Sequence, residues 1–532
     1  MRSIYFCLAA LAMTAPAYTQ TAPPAAPSVT AGAEFKGLRF DWETIYGATW
    51  YQLEYRAHQT GPFVQHGANY PATTTHTWFR LPLHLFDWTY ARYRIAACNS
   101  AGCTRSNEVS VSAMRRDAVG YFKTPTINMF EQFGWDTDIT PDGLNFVASA
   151  TSDNHGNEAA ERTAAAYVFG RNAFGQWVQR ARLVPTIGPN NYFENRARVS
   201  ISADGNTVVL GLPDYQHGDN DTKTGEVFVF HFNGTTWTRT RLMSGNRGEF
   251  GRWVAINDAG DTIATPYSQG AQRVAIYKLI DGSWQGVRGL SNRTGEYCYG
   301  EGVMSSDSTV VADYCTSGRR LYVRTHSGPN WTVRTETDLE LPEHPLGVDS
   351  RELAIDGAGN TIVAEIYEIP STAEPTNLPS EVQVLSRNGG IYSKTAAFRP
   401  GAWRNRDQRM MFGSGLAISS DGGTIAIGDV TDDGRGTGPR AAPLDPGGAP
   451  LGAVYIYRLK SKWVLANMVK PNNVPPPSQY ILSVEYFGRE VSLNGSGQTL
   501  IVGNPDESRT ATGIGGDWTQ GGQQSTGAVF MY

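Results

Sequence analysis

The sequence predicts an all-β chain in two parts, a small two-sheet sandwich followed by a propeller of seven four-stranded blades. Three observations predict it. One phrase recurs along most of the chain. Each recurrence breaks into short β-branched runs separated by glycine-containing turns. No stretch of 118–532 carries helical periodicity.

The phrase is clearest in "MFGSGLAISSDGGTIAIGDVTDDG" (411–434) and "YFGREVSLNGSGQTLIVGNPDE" (486–507). Aligned on Thr424 and Thr499, each has an apolar residue upstream, Ile418 and Leu493, and before that a Phe-Gly pair, Phe412-Gly413 and Phe487-Gly488. The frame extends to Phe250, Ile256 and Thr262, to Phe193, Val199 and Thr207, and to Phe133, Ile139 and Asn145. Two looser copies centre on Thr309 and Thr361, making seven copies spaced by 47 to 75 residues. Such spacing belongs to propellers and solenoids.

Each copy opens with two apolar runs joined by Asp-Gly, Ala-Gly or Ser-Gly, residues that supply the positive φ of a tight hairpin. A variable loop follows, then a third run such as "GEVFVFH" (225–231) or "GAVYIYR" (452–458). A fourth run opens on an aromatic: Trp177, Trp237, Trp284, Trp331, Tyr392 or Trp463. The last copy ends on its third run, at Tyr532, while "AVGYFKTPTI" (118–127) is a fourth run without a blade. The start of the propeller is therefore expected to complete its last blade, which removes an open edge. Phe-Gly, a Gly-Ala, Gly-Asp or Gly-Asn turn, then Gly-Ala-Val-Tyr resembles the FG-GAP repeat of integrin alpha-chain propellers, over residues 118–532. That resemblance implies a propeller used in adhesion or recognition.

The N-terminus "MRSIYFCLAALAMTAPAYTQ" has a charged start, a short apolar run and a small-residue exit. It reads as a signal peptide over 1–20, too short for a membrane span, with a linker at 21–27. The expected location is secreted or periplasmic. Residues 28–113 hold alternating runs such as "LRFDWETI", "WYQLEYRA" and "ARYRIAACNS", which predict an immunoglobulin-like sandwich. "YARYRIAACNSAG" resembles the sixth strand of fibronectin type III domains, with Tyr93 in the place of their corner tyrosine.

A net charge of −5 and a pI near 6 call for neither nucleic acid nor an anionic membrane as partner. Without Cys7, four cysteines remain, Cys98 with Cys103 and Cys298 with Cys315, each pair flanking a local turn or hairpin. Two disulfides are the expectation for a secreted chain. A zinc site is the alternative, but no His lies at ligand spacing from either pair.

No nucleophile elbow, His-x-x-x-His or phosphate loop is present, and the nine histidines are scattered, so no catalytic residues are assigned. The integrin resemblance implies calcium, but the Asp-Gly turns here offer one or two carboxylates each and lack the family's Asp-x-Asp-x-Asp-Gly-x-x-Asp loop. No cofactor is expected, and no metal ligand is assigned. The long loops between second and third runs, and the segments linking blades, share one face of the disc. They carry Trp403, Asp432, Asp433, Asp517 and Trp518, the candidate ligand-binding residues. The expected partner is an extracellular protein or glycan. The alternative is a secreted propeller hydrolase or lyase acting on polysaccharide.

Overall fold

A computed structural model describes residues 22–532 apart from 58–59, 86–90, 116, 154–162, 174, 186–195, 216–224, 243–249, 270–271, 293–299, 316–319, 328–330, 341–351, 368–379, 400–410, 435, 437, 439–450, 473–485, 520 and 523–524. The chain divides into two compact units. One comprises Met1–Phe79 and Asp87–Met114, the other Arg80–Phe86 and Arg115–Tyr532.

The smaller unit is two antiparallel sheets. Val29–Glu34, Gly37–Trp42 and His76–Arg80 form one. Val64–Pro71, Trp50–Arg56, Arg92–Asn99 and Gly102–Arg105 form the other, with Val109–Ser110 beside Arg92–Asn99. Alternation buries Leu38, Phe40 and Trp42 from one sheet and Tyr51, Leu53, Tyr93 and Ile95 from the other. The strand Val64–Pro71 is mostly exposed and polar, so it lacks the apolar alternation that marks its neighbours. Cys98 and Cys103 are disulfide-bonded across a tight hairpin.

The larger unit is a β-propeller. Seven four-stranded antiparallel sheets follow one another along the chain. Their first strands are Thr137–Ile139, Arg198–Ile201, Ala255–Ile256, Gly302–Met304, Leu353–Ile355, Phe412–Ile418 and Glu490–Leu493. Each touches the first strand of the next sheet, and the last touches the first, so the sheets close into a ring. We number the blades one to seven in this order. Apolar clusters lie between neighbouring blades; Val168 and Phe228, for example, share the cluster between blades one and two. The inner strands of the blades bury both faces of their sheets, as stacked sheets require.

Closure occurs as the two chain ends suggest. Gly120–Phe122 pairs antiparallel with Ala528–Met531, from the other end of the chain, as the fourth strand of blade seven.

The repeated turn has one physical cause. In six blades the residue after the first strand accepts the backbone N–H five residues on, where the second strand begins, and in blade five Asp356 accepts from Asn360 N instead. Ser202 Oγ accepts from Thr207 N at 3.0 Å, Asn257 Oδ1 from Thr262 N at 2.9 Å, and Asn494 Oδ1 from Thr499 N at 2.8 Å. Three residues further on, the chain turns with positive φ, at glycine in six blades and at Ser308 (φ 59) in blade four.

Two alignments shift in consequence. Ile201, not Val199, pairs with Val208 as the last residue of the first strand of blade two. In blade four Val310, not Thr309, takes the threonine position, because Met304 pairs with Val311.

Phe-Gly and the later glycine-led strand meet across blade junctions. Phe250 bridges Gly225 of the preceding blade, Phe487 bridges Gly452, and Phe133 bridges Gly527. A Cβ on Gly452 would sit 2.1 Å from Phe487 O, and one on Gly225 equally close to Phe250 O at 2.1 Å. The two halves of the repeat are thus one joint between blades.

Candidate functional site

Register fixes which residues are equivalent in the seven blades. The last residues of the first strands are Ile139, Ile201, Ile256, Met304, Ile355, Ile418 and Leu493, each paired with the second residue or first apolar residue of the next strand. Three positions upstream stand Asp136, Arg198, Trp253, Glu301, Glu352, Gly415 and Glu490. First strands line the axis of the propeller, so these residues form a tier around its central channel, and six of the seven line one cavity of about 250 Å³. Asp138, Ser200, Ala255, Val303, Ala354, Ala417 and Ser492 line the next tier. Antiparallel strands alternate direction. The mouth where the first strands begin is therefore on the face of the between-blade links and the long second-to-third-strand loops.

The tier is mostly acidic. Arg198 donates from Nη2 to Glu301 Oε1 at 2.5 Å and lies 3.8 Å from Glu490 Oε2. Asp136 accepts from Val199 N at 2.7 Å and from Thr137 N at 3.0 Å. Arg489 Nη1 stands 3.9 Å from Glu352 Oε1 and its guanidinium lies over the Trp135 ring at 4.9 Å. Glu352 Oε1 is buried without a hydrogen-bond partner among the described residues. Below, Asp138 Oδ2 accepts from Ser200 Oγ and Ile201 N, both at 2.9 Å.

Burial raises the carboxyls, and their mutual repulsion adds to it. Glu352 is pushed up to about 7 by burial and by Glu301, against the pull of Arg198 and Arg489. Asp136 is raised to about 6 by burial, although Arg198 and the Val199 amide hold it down. Asp138 is also raised to about 6, chiefly by burial. Glu490 is pushed well above the usual carboxylate range by burial and then by Asp136 and Glu352. For Arg198, burial lowers the value, but the surrounding carboxylates outweigh it and the net shift is upward. The mouth can therefore take up or release protons near neutrality and favours a positive charge. Among the described residues no three acidic, His or Cys side chains come together in metal-binding geometry.

The residues expected from the loops fall elsewhere. Asp432 is fully buried: it pairs with Lys470 Nζ and accepts from Tyr455 OH at 2.6 Å. Its position is that of an internal anchor, because a lysine with no exposure needs a counter-charge. Asp433 is half-buried. Asp517 is exposed and caps Thr519, accepting from its N at 2.9 Å and from its Oγ1 at 2.6 Å. Trp518, a candidate ligand-binding residue, is half-buried and packs edge-on against Tyr121 with centroids 5.5 Å apart. Trp403 and Cys298 lie outside the described residues. Cys315 is disulfide-bonded. The short-turn face spends its carboxylates locally. Asp204 and Asp307 bond to their own turns, at 2.6 Å to Ser202 Oγ and 2.7 Å to Ser305 Oγ.

Sequence reasoning missed the channel tier. Only three of its seven members, Glu301, Glu352 and Glu490, share a residue type, and the two-residue offset in blade two aligned Arg196 instead of Arg198 with Asp136 and Glu490. The signal was the position three before each closing apolar residue, legible once the register is known.

No family model matches the chain, and no curated protein matches it. Among solved structures it is similar to the β-propeller domain of Cps50 (Swd1) from Myceliophteria thermophila, at 8% identity and a TM-score of 0.45, covering 77% of this chain and 98% of that one. It is similar to the C-terminal WD40 domain of Sif2, at 13% identity and a TM-score of 0.41, over 77% and 97% of the two chains. It is similar also to a periplasmic gluconolactonase of Pseudomonas aeruginosa, at 12% identity and a TM-score of 0.39, over 72% and 95%. These likenesses stand beside the propeller read from the sheet order and carry no statement about activity.

Proposed function

We propose that the chain is a secreted recognition protein whose propeller binds an extracellular protein or glycan on its long-loop face. In this reading residues 28–113 are a fibronectin type III-like module and 118–532 an FG-GAP-like propeller. The single observation that carries it is the convergence of Asp136, Glu301, Glu352 and Glu490 around Arg198 at the channel mouth on that face. Trp403, Asp433, Asp517 and Trp518 are proposed to contribute to binding on that face, with Asp432 holding the loop of blade six in place.

A second reading, a hydrolase or lyase acting on polysaccharide, is favoured by one observation. Glu352 has a carboxyl raised to about 7, in the range that suits a general acid or base, and an oxygen without a hydrogen-bond partner among the described residues. Purified mature chain screened against extracellular proteins, glycans and polysaccharides separates the two. Saturable binding without turnover, weakened by Trp518→Ala and unchanged by substitutions on the Asp-Gly turns, supports recognition. Turnover abolished by Glu352→Gln supports the hydrolase or lyase.

A further inference from the structure

The positive-φ residue of the turn after each first strand keeps a carbonyl that the turn itself does not use. Four blades satisfy it with a side chain. Gly205 O accepts from Arg180 Nη1 at 3.0 Å, Gly497 O from His84 Nε2 at 2.9 Å, Ser308 O from His326, and Gly359 O from Tyr392 OH. In blades one, three and six no described side chain reaches it. In blade six the carbonyl, Gly422 O, lines a cavity of about 570 Å³ between blades five and six.

The junction of blades one and two shows what fills this place elsewhere. Arg180 is the unpaired bulge residue in the fourth strand of blade one. Its guanidinium lies over the Phe232 ring at 5.6 Å and donates to Asn145 Oδ1 at 2.8 Å and Asn206 Oδ1 at 3.2 Å as well as to Gly205 O. Gly170 makes room for it, since a Cβ there would stand 2.5 Å from Arg180 Cδ. In blade five the bulge residue is Thr395, because Val384 pairs with Ala396 and Leu385 with Lys394. Ser386 stands where blade one has Gly170, opposite Thr361 in place of Asn145. Thr395 Oγ1 turns to Ser386 Oγ at 2.9 Å and to Val384 O at 3.3 Å, both in its own blade, so the groove stays open.

The lining mixes rings, donors and acceptors. Phe398 and Tyr457 stack at 4.0 Å, Trp463 stands beside them, and Leu459 is 49% exposed at the same wall. Tyr457 OH, Trp463 Nε1 and Thr361 Oγ1 have no hydrogen-bond partner among the described residues, and none of the three is sealed from solvent. Gly422 O can only accept, Trp463 Nε1 and Lys462 Nζ can only donate, and the two hydroxyls do both. A carboxylate has no proton for Gly422 O. A guanidinium or ammonium would share the groove with Lys462, the only charged residue of the lining. A neutral hydroxylated ring suits all of these groups: its hydroxyls donate and accept, and its C–H faces lie against aromatic rings. The cavity of about 570 Å³ falls within the roughly 300–1,000 Å³ of small-molecule sites.

We propose that the groove between blades five and six binds a neutral pyranose unit of a glycan, with Tyr457 and Trp463 as its aromatic wall and Gly422 O and Thr361 Oγ1 as hydrogen-bond partners. The inference goes beyond the recognition reading, which sets binding on the long-loop face, because Gly422 belongs to an Asp-Gly turn at the opposite end of the strands.

The test titrates the mature chain, by calorimetry and saturation-transfer NMR, with the methyl pyranosides of glucose, galactose, mannose and N-acetylglucosamine, with glucuronate, and with acetyl-Gly-Arg-Gly amide. Trp463→Ala and Tyr457→Phe are compared with the double variant Ser386→Gly with Thr395→Arg, which rebuilds the Arg180 arrangement and fills the groove while keeping its aromatic wall. Glu43→Gln, exposed in the smaller unit, is the control. Circular dichroism checks folding. Trp463 packs on the core between blades five and six, so the double variant decides where Trp463→Ala does not fold. The expected result is saturable binding of at least one neutral pyranoside, about tenfold weaker in Trp463→Ala, about threefold weaker in Tyr457→Phe, absent in the double variant and unchanged in the control. Pyranoside binding that persists in the double variant, no saturable pyranoside binding in the parent, or tighter binding of glucuronate or of the arginine peptide overturns the proposal. The recognition reading fails separately. A glycan whose affinity falls with Trp518→Ala and ignores the double variant sinks the groove and leaves that reading standing. Glycan binding lost in the double variant and untouched by Trp518→Ala leaves the groove standing and sinks the long-loop face.

Discussion

Lys123 Nζ lies 2.6 Å from Glu507 Oε2, a buried ion pair between residues 384 apart in sequence. Tyr121 OH donates to the other oxygen, Glu507 Oε1, at 3.0 Å, and Lys123 also donates to Arg509 O at 2.8 Å and Thr526 Oγ1 at 2.6 Å. Blade six carries the same device in Lys470, Asp432 and Tyr455. In blade six all three partners come from one stretch of chain. In blade seven the lysine and tyrosine come from the opposite end, so this pair locks the ring shut.

Breaking the lock should be costly. Lys123→Met removes the 2.6 Å partner of the buried Glu507 carboxylate and leaves Arg509 Nε, 3.9 Å away, as its nearer cation, a loss of about 3–5 kcal/mol. The expected outcome in denaturant titration is a lower midpoint with an unchanged slope. Deleting 118–127 should go further and expose the edge of Ala528–Met531, with aggregation read by light scattering. A deletion variant as stable and monomeric as the parent would refute closure by this strand.

Much of this fold is legible in sequence because its cause is local. The Asp-Gly turns announce themselves, since a positive φ and a side-chain cap are needed within a few residues. The fourth strand at 120–122 could be inferred from a missing partner. What stayed hidden depends on register and on contacts between blades. Asp432 and Asp433 are adjacent in sequence, yet one is a buried anchor and the other half-exposed. Trp518 finds Tyr121, nearly four hundred residues away. The tier is assembled from separate blades, and its three glutamates, Glu301, Glu352 and Glu490, are mixed around the ring with Asp136, Arg198, Trp253 and Gly415, so no single residue type marks the position in the repeat.

The joint between blades gives a sharper test of the repeat. Gly452 has φ 85 and its Cβ would stand 2.1 Å from Phe487 O. Gly175 has a similar φ of 77 but nothing within 4 Å. Alanine at Gly175 should cost only the left-handed backbone strain, about 1–2 kcal/mol. Alanine at Gly452 must also push two backbones apart, adding at least about 1–3 kcal/mol. Equal melting temperatures for the two variants would show that the junction is loose.

The cysteines predict a thiol count. Cys98 pairs with Cys103, and Cys315 is bonded, so mature chain denatured without reductant should show no free thiol. With Cys298 as the expected partner of Cys315, the closed loop spans 18 residues. Replacing both by serine should cost about 2–4 kcal/mol. Two or more thiols titrating in oxidised, secreted protein would reject the pairing.

The channel mouth also makes stability depend on pH, with a definite sign. Glu352, Asp136 and Asp138 have folded values near 7, 6 and 6, above their unfolded values near 4.5, 3.8 and 3.8. Between about pH 4 and pH 7 the folded state therefore binds more protons than the unfolded state, and stability falls as pH rises. The contribution is complete below the unfolded values and is lost as pH passes through the folded ones. For Glu352 alone the upward shift corresponds to an upper bound on the order of 3 kcal/mol, since each unit is worth about 1.4 kcal/mol. Glu352→Gln removes that group from the balance. The variant should show a flatter stability profile between pH 5 and pH 8 and should exceed the parent at pH 8, measured by denaturant unfolding at each pH. Glu43→Gln, exposed and remote in sequence from the tier, should track the parent throughout. A parent profile that rises from pH 5 to pH 8, with Glu352→Gln parallel to it, would mean that the mouth carboxylates do not store protons in the folded chain.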